Sequence, residues 1–223
     1  MEKRIENTLA LTQSQLQIWA GQMLNPNTPL HNTVHALEIG GKIAEATFQT
    51  SVQQLVNKVD ALRLNFNEKN GIPYQTIVKS LLFKAEIIDG TNLSQQEIDD
   101  LIYDRSQKIL DLSTRAFDIA LIKINPEKCI CFLNMHHLIT DAVSATLVFK
   151  YLSNIYQANK QIVSDDKAGY PTFKSYLEFE NEEFRDTEND HIKAYWKEKI
   201  ETVPRLPKLY AANATHKLSL IHI

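Results

Sequence analysis

The residues best suited to chemistry form the run HHLITD at positions 136–141, which directly follows an apolar, strand-like segment. Loops at the ends of strands often carry function. An imidazole titrates near neutral pH, so it can accept a proton from an attacking ammonium or hydroxyl group, or hold that nucleophile by a hydrogen bond. Adjacent strand residues point to opposite faces, so one histidine can face a reaction channel while the other packs inward. We take His137 as the catalytic candidate.

Asp141 lies four residues after His137, and its carboxylate has two possible uses. It can cap an incoming helix, or it can accept a buried cationic partner, because a buried carboxylate without a partner is costly. Two plainer interpretations remain open. The histidines can be packed or exposed residues beside an ordinary N-cap aspartate. Alternatively, an H-x-x-x-D pair on one helical face can bind a metal ion, although no third ligand at fixed spacing is apparent.

A hairpin and a helix are predicted to position this run. Residues 117–125 and 128–135 are two apolar strand candidates, and Pro126 stands where a type I turn favours proline. Cys129 and Cys131 share one face of the second strand roughly 6 to 7 Å apart, too far for a disulfide, so we expect two buried small apolar residues. After the run, apolar residues at helical spacing predict a helix: Val143, Leu147, Val148, Tyr151 and Leu152.

The remaining pattern mixes helices with strands. Thr12 and Gln15 form a capping box at the start of the first helix. Further helices are predicted at 45–59, 94–110, 172–185 and 188–200, and strands at 34–39, 73–78 and 81–88. Such a mixture predicts an α+β protein, an α/β sandwich in which a mixed sheet packs against helices.

Composition argues against two classes of partner. Lysine and arginine number 24 against 27 aspartate and glutamate, a formal charge of -3, so no basic surplus is available for nucleic-acid phosphates. No stretch approaches the roughly 20 apolar residues that cross a bilayer, and the N-terminus lacks the apolar run of a signal peptide. We therefore expect one soluble, cytoplasmic globular unit, with neither nucleic acid nor membrane as a partner.

Four segments resemble motifs of one family, in the family's order. Residues 135–144, MHHLITDAVS, resemble the MHHxxxDGxS signature of nonribosomal peptide synthetase condensation domains, members of the chloramphenicol-acetyltransferase-like superfamily. Residues 11–19 resemble the opening motif, and residues 58–66, KVDALRLNF, resemble RHExLRTxF. Tyr170 and Phe173 begin a weaker match to YxDF. The resemblance runs from about Leu11 to Ile200 and covers the N-terminal lobe of such a domain.

The resemblance implies amide-bond formation between acyl and aminoacyl thioesters held on donor and acceptor peptidyl carrier proteins. His137 corresponds to the catalytic second histidine and His136 to its neighbour, while Asp141 corresponds to a carboxylate paired with the arginine that matches Arg63. Neither a metal nor a diffusible cofactor is implied, because the phosphopantetheine arms belong to the partner carriers. The C-terminal condensation lobe would be a further partner.

The chain also departs from the family pattern. Ala142 replaces the motif glycine, and its methyl group could narrow the path of a pantetheine arm or oppose a positive φ, although a helix start tolerates alanine. The departures at other positions are Lys58, Val59, Asp60, Leu64, Thr172 and His31.

We predict an N-terminal extension at 1–10, the lobe at 11–200 and an interlobe linker at 201–223. The terminal LSLIHI resembles one reading frame of a sequencing adapter, so we expect the natural chain to continue differently beyond about residue 217.

Two other functions stay open. One is an acyl-CoA-dependent O-acyltransferase of the HHxxxD superfamily, although the matches at 11–19 and 58–66 favour condensation. The other is a non-catalytic carrier-docking lobe, motivated by Ala142 and by the missing second half. Carrier binding without amide formation would distinguish that lobe from an enzyme.

Overall fold

The computed structural model describes residues 8–161, 171–185 and 189–201, and the chain divides into two compact units at 1–178 and 179–223. The helices are α1 (Gln13–Leu24), α2 (Glu45–Lys58), α3 (Gln95–Ser106), α4 (Ser144–Asn159), α5 (Phe173–Arg185) and α6 (Asn189–Glu201). The strands are β1 (Thr8–Leu9), β2 (Asn32–Gly40), β3 (Leu64–Lys69), β4 (Ile72–Ile77), β5 (Glu86–Asp89), β6 (Phe117–Asn125) and β7 (Lys128–His136), and a 3₁₀ helix spans Asp60–Arg63.

Two sheets organise the first unit. A four-stranded sheet has the order β2-β7-β6-β5, with β5 parallel to β6 and the other pairs antiparallel. A smaller antiparallel sheet has the order β1-β4-β3. Because helices pack against a mixed sheet, the predicted α+β fold is confirmed.

The main core lies between the four-stranded sheet and the pair α2 and α4. Val52, Leu55 and Leu133 are almost completely buried there. Cys129 and Cys131 point into the same core as free thiols, which confirms the expectation that they are buried, and burial raises the pKa of Cys131 to about 12. The other face of β7 carries Phe132, which packs in a second cluster that includes Ile98 of α3. The two faces of β7 are therefore both covered.

The predicted hairpin is confirmed, and it fixes where the HHLITD run begins. Strands β6 and β7 pair from Phe117 opposite Met135 to Asn125 opposite Lys128. Strand β7 extends one residue further than predicted, to His136, which pairs with Asn32 of β2. The first histidine of the run is therefore the last residue of a central strand.

The predicted strand at 81–88 is only partly correct, because regular pairing begins at Glu86. The preceding backbone bonds to side chains of α2. Gln53 accepts from the N–H of Phe83 and donates to the carbonyl oxygen of Leu81. Gln49 bonds to both backbone groups of Ala85. The backbone N–H and C=O groups of this extended segment thus find their hydrogen-bond partners in amide side chains of a helix instead of in a neighbouring strand.

Other boundaries differ from the sequence prediction. Helix α3 ends at Ser106, before the predicted residue 110, because Asn32 Nδ2 donates to the carbonyl oxygens of Ser106 and Lys108 and holds the chain out of the helix. Strand β1 lies inside the segment predicted as an extension and pairs with β4. Tyr170 and residues 202–223 of the predicted linker lie outside the described residues. None of the described helices combines the length and apolar character needed to span a membrane.

Candidate active site

His137 lies just beyond the end of β7 and is exposed. Its backbone N–H donates to the carbonyl oxygen of His31 at 2.8 Å. Its side-chain Nδ1 lies 3.0 Å from the carbonyl oxygen of Thr140. A carbonyl oxygen can only accept, so in the neutral imidazole Nδ1 carries the proton and Nε2 holds the lone pair. His137 therefore keeps one nitrogen able to accept a proton from a substrate.

His136 has the opposite environment, with 2% of its surface exposed. Its Nδ1 accepts the N–H of Leu138 at 3.2 Å, and its Nε2 lies 3.0 Å from Oε1 of Gln22. Burial, then the nearby His31 and His137, lower its pKa to about 4. His136 is thus a neutral ring with a hydrogen bond at each of its two nitrogens, and it supports the loop. This agrees with the prediction that one histidine packs inward.

His31 lies next to both histidines of the run. Its ring meets that of His136 edge to face, with centroids 5.8 Å apart and an interplanar angle of 68°. Burial and, as a second cause, the nearby His137 lower the pKa of His31. A third imidazole therefore belongs to the site, at one of the positions where the chain departs from the family pattern that it resembles.

Helix α1 holds the loop at two points that the sequence reasoning missed. Gln22 bonds to His136, and Nε2 of Gln15 donates to the carbonyl oxygen of Leu138 at 2.8 Å. Gln15 also completes the predicted capping box with Thr12, which is confirmed. Helical periodicity could have indicated that both glutamines are buried. Together with Trp19, Gln15 and Gln22 fall at i, i+4 and i+7 and form the buried stripe of α1.

Asp141 serves the helix start, one of the two uses that the sequence left open. Its Oδ1 accepts from the N–H of Val143 at 3.0 Å, from the N–H of Ser144 at 2.8 Å and from the Ser144 hydroxyl at 2.6 Å. The Ser144 hydroxyl and then its backbone N–H are the largest causes of the lowered pKa of Asp141. The exposed carboxylate therefore tethers the loop to the first turn of α4.

The expected ion pair between Asp141 and Arg63 does not form, which corrects what the resemblance implies. Arg63 donates instead to the carbonyl oxygens of Val56 and Asn57 at the end of α2, and to that of Val78. A guanidinium is stabilised there because the last carbonyls of a helix lack intrahelical partners and carry partial negative charge. Arg63 stabilises α2, whereas Asp141 stabilises the start of α4.

Ala142 is exposed and directly follows Asp141. In the described part of the chain, the non-glycine residues with left-handed backbone are Asn70 and Gln161. Ala142 therefore meets no positive φ, and the expected backbone conflict does not arise. Its effect on the path of a pantetheine arm stays a prediction.

The described residues contain no cluster of three His, Cys, Asp or Glu side chains arranged to hold a metal ion. The site consists of a strand-end imidazole whose second ring nitrogen has no hydrogen-bond partner among the described residues, a neutral buried imidazole next to it and a carboxylate at the start of the next helix. Fold and site together define an α+β lobe built around an HHxxxD loop.

The chain belongs to the condensation-domain family, since the family model described as condensation domain matches residues 5–220. The dimodular nonribosomal peptide synthase of Bacillus subtilis is 24% identical to it, over 90% of this chain and 8% of that protein. Surfactin synthase subunit 2 of Bacillus subtilis is 29% identical, over 83% of this chain and 5% of that protein. The chain thus spans a small part of these relatives.

Solved structures show the same fold. The starter condensation domain of rhizomide synthetase matches with a TM-score of 0.81 and 22% identity, over 90% of this chain and 49% of that one. The first condensation domain of the calcium-dependent antibiotic synthetase matches with a TM-score of 0.80 and 19% identity, over 89% of this chain and 50% of that one. This chain spans about half the length of these domains, and the chloramphenicol-acetyltransferase-like lobe is confirmed.

Proposed function

We propose that this chain catalyses amide-bond formation between two acyl groups held as thioesters on carrier proteins, in nonribosomal peptide synthesis. The observation that carries the proposal is the state of His137. Its Nδ1 proton is committed to the carbonyl oxygen of Thr140, so Nε2 is the free base of an exposed ring. Membership of the condensation-domain family supplies the reaction class.

In the proposed reaction, the acceptor amine attacks the carbonyl carbon of the donor thioester. The new C–N bond forms and the C–S bond breaks, so the donor carrier leaves with its thiol. Nε2 of His137 accepts the proton that the nitrogen loses and returns it to the departing sulfur. His136 does not serve as this base, because both of its ring nitrogens are already bonded.

The other residues of the site hold the loop around His137 and the neighbouring helix ends in place. Asp141 ties the loop to α4, His136 and Gln15 fix the backbone at Leu138, and Arg63 holds the end of α2. Ala142 is exposed, so its methyl group is available to meet a pantetheine arm that reaches His137.

The proposed partners are a donor and an acceptor peptidyl carrier protein and a C-terminal condensation lobe, in the cytoplasm. The carriers bring both phosphopantetheine arms, so the reaction itself calls for neither a metal nor a diffusible cofactor. The match to about half of each solved condensation domain supports the need for a second lobe.

The test uses the full-length protein encoded by the gene, with both carriers loaded, and mass spectrometry of the acceptor arm. We expect amide product from the unchanged protein and at least a hundredfold lower rate for His137→Ala. Gln17→Ala, an exposed change on α1, is the matched control and keeps the rate. An unchanged rate in His137→Ala would contradict the proposed role of this histidine.

The same samples separate the alternatives. Product from acyl-CoA and an alcohol, without carriers, would indicate the O-acyltransferase. Carrier binding with no product in the unchanged protein would indicate a docking lobe. Ala142 has no positive φ, so only its effect on the path of a pantetheine arm, and the missing second half, still favour the docking lobe.

A further inference from the structure

The orientation of the Gln22 side chain is fixed by its own helix end. Its Nε2 donates to the carbonyl oxygens of Asn25 at 3.0 Å and Thr28 at 3.1 Å. Both hydrogens of the amide are therefore used by groups that can only accept. Oε1 must face the other way, towards His136, and Gln22 is 5% exposed.

This orientation dictates the protonation of His136. Oε1 of Gln22 is an acceptor only, so the nitrogen 3.0 Å away, Nε2 of His136, must carry a hydrogen. Nδ1 of a neutral ring is then a bare acceptor, and it receives the N–H of Leu138. The alternative tautomer would place two acceptors against each other at Gln22 and two donors against each other at Leu138.

The tautomer of His136 matters for His137 because their backbones are continuous. The N–H of His137 donates to His31, the N–H of Leu138 to His136, and the carbonyl oxygen of Leu138 accepts from Gln15. Three of the backbone groups around His137 are thus fixed, and the bond at the Leu138 N–H depends on Gln22.

We infer that Gln22 is a positioning residue for the reaction at His137, acting by holding His136 as its Nε2–H tautomer. The inference rests on the function proposed above. Gln22 touches no reacting atom. Its effect reaches the catalytic imidazole through the His136 ring and the backbone N–H of Leu138.

The first test changes Gln22 to Met, which keeps the length of the side chain and removes both the acceptor that faces His136 and the amide donor to Asn25 and Thr28. The imidazole ¹⁵N resonances of His136 in the full-length protein report its tautomer directly. We expect a pure Nε2–H tautomer in the unchanged protein and a mixture of tautomers in Gln22→Met. Amide formation is expected to fall at least tenfold in kcat, with less than a twofold change in KM for the loaded acceptor carrier.

The second variant, Gln22→Glu, loses the same bonds to Asn25 and Thr28 as Gln22→Met, but it keeps an acceptor oxygen and adds a negative charge next to His136. That charge raises the pKa of His136, and protonation at Nδ1 abolishes the bond from Leu138. The acid limb of the pH–rate profile is therefore expected to move to higher pH in this variant, while the rate at the alkaline plateau recovers towards that of the unchanged protein. A merely structural defect would lower the whole profile without moving this limb.

Gln17→Met on the exposed side of α1 is the matched control for both measurements. The inference is overturned if Gln22→Met keeps the pure tautomer, or if the tautomer changes while kcat does not. Failure of the proposed function has a different signature: His137→Ala would keep its rate, whereas the His136 resonances would still respond to Gln22.

Discussion

The imidazole of His31 occupies the space that a side chain at position 21 would need. A Cβ placed on Gly21 would come within 2.8 Å of Nε2 of His31. Gly21 lies inside α1, where glycine is a poor helix former. Its presence there follows from the close approach of the ring that packs against His136.

A cycle of Gly21→Ala and His31→Ala tests this relationship. In the His31→Ala background, Gly21→Ala is expected to stabilise the protein by about 1 kcal/mol, because alanine is the better helix former. With His31 present, the overlap should cancel this gain at a cost of about 1–3 kcal/mol. Denaturant unfolding of the four proteins measures the coupling, and additive effects would show that the two residues do not compete for space.

A second double-mutant cycle tests whether Asp141 and Arg63 interact. Asp141→Ala removes the acceptor at the start of α4 and is expected to cost about 1 kcal/mol of unfolding free energy, whereas Asp141→Asn keeps an acceptor and costs less. Arg63→Met removes bonds at the other helix, so the effects of Asp141→Ala and Arg63→Met should add within about 0.5 kcal/mol. A larger coupling, measured by urea unfolding, would show that the two side chains form a pair after all.

The lowered pKa values of His136 and His31 predict how the free energy of unfolding depends on pH. The pKa of His136 is lowered to about 4 and that of His31 is also lowered, so the unfolded chain binds more protons than the folded one below about pH 6.5. Unfolding free energy should therefore fall as the pH drops from about 6.5 towards 4, by up to about 1.4 kcal/mol per pH unit for each fully neutral ring.

Urea unfolding at a series of pH values measures this slope. The His31→Ala protein should show a shallower slope than the unchanged protein, because one proton-binding difference is gone. A stability that is flat between pH 6.5 and 4 would contradict a His136 ring held neutral by burial.

The hydrogen bonds from the glutamine side chains of α2 to residues 81–85, the segment before β5, give a further test. Gln53→Leu leaves the N–H of Phe83 and the carbonyl oxygen of Leu81 without their side-chain partner. We expect a loss of about 1–3 kcal/mol and faster hydrogen exchange at the Phe83 amide. Thr50→Leu, an exposed change on the same helix, should leave this amide protected. Equal exchange rates of the Phe83 amide in Gln53→Leu and in the unchanged protein would show that the Gln53 side chain does not protect this amide.

The elements that neighbouring residues determine could be predicted from the sequence. The capping box of Thr12 and Gln15 and the hairpin of β6 and β7 depend on residues a few positions apart, and both are present. The strand predicted at 81–88 failed in its first half because its partners are glutamines of α2, about thirty residues away. Alternating apolar residues indicate an extended chain but not what lies beside it.

By itself, the sequence determined the α+β class, the position of His137 at a strand end and the motifs that resemble condensation domains. Each of these depends on local spacing, which the printed residues contain. Only the tertiary structure decided that Arg63 bonds to the end of α2 instead of pairing with Asp141, and that Gln22 sets the tautomer of His136. The reason is physical: Gln22 and His136 are 114 residues apart, and hydrogen bonds between such side chains exist only once the fold has brought them together.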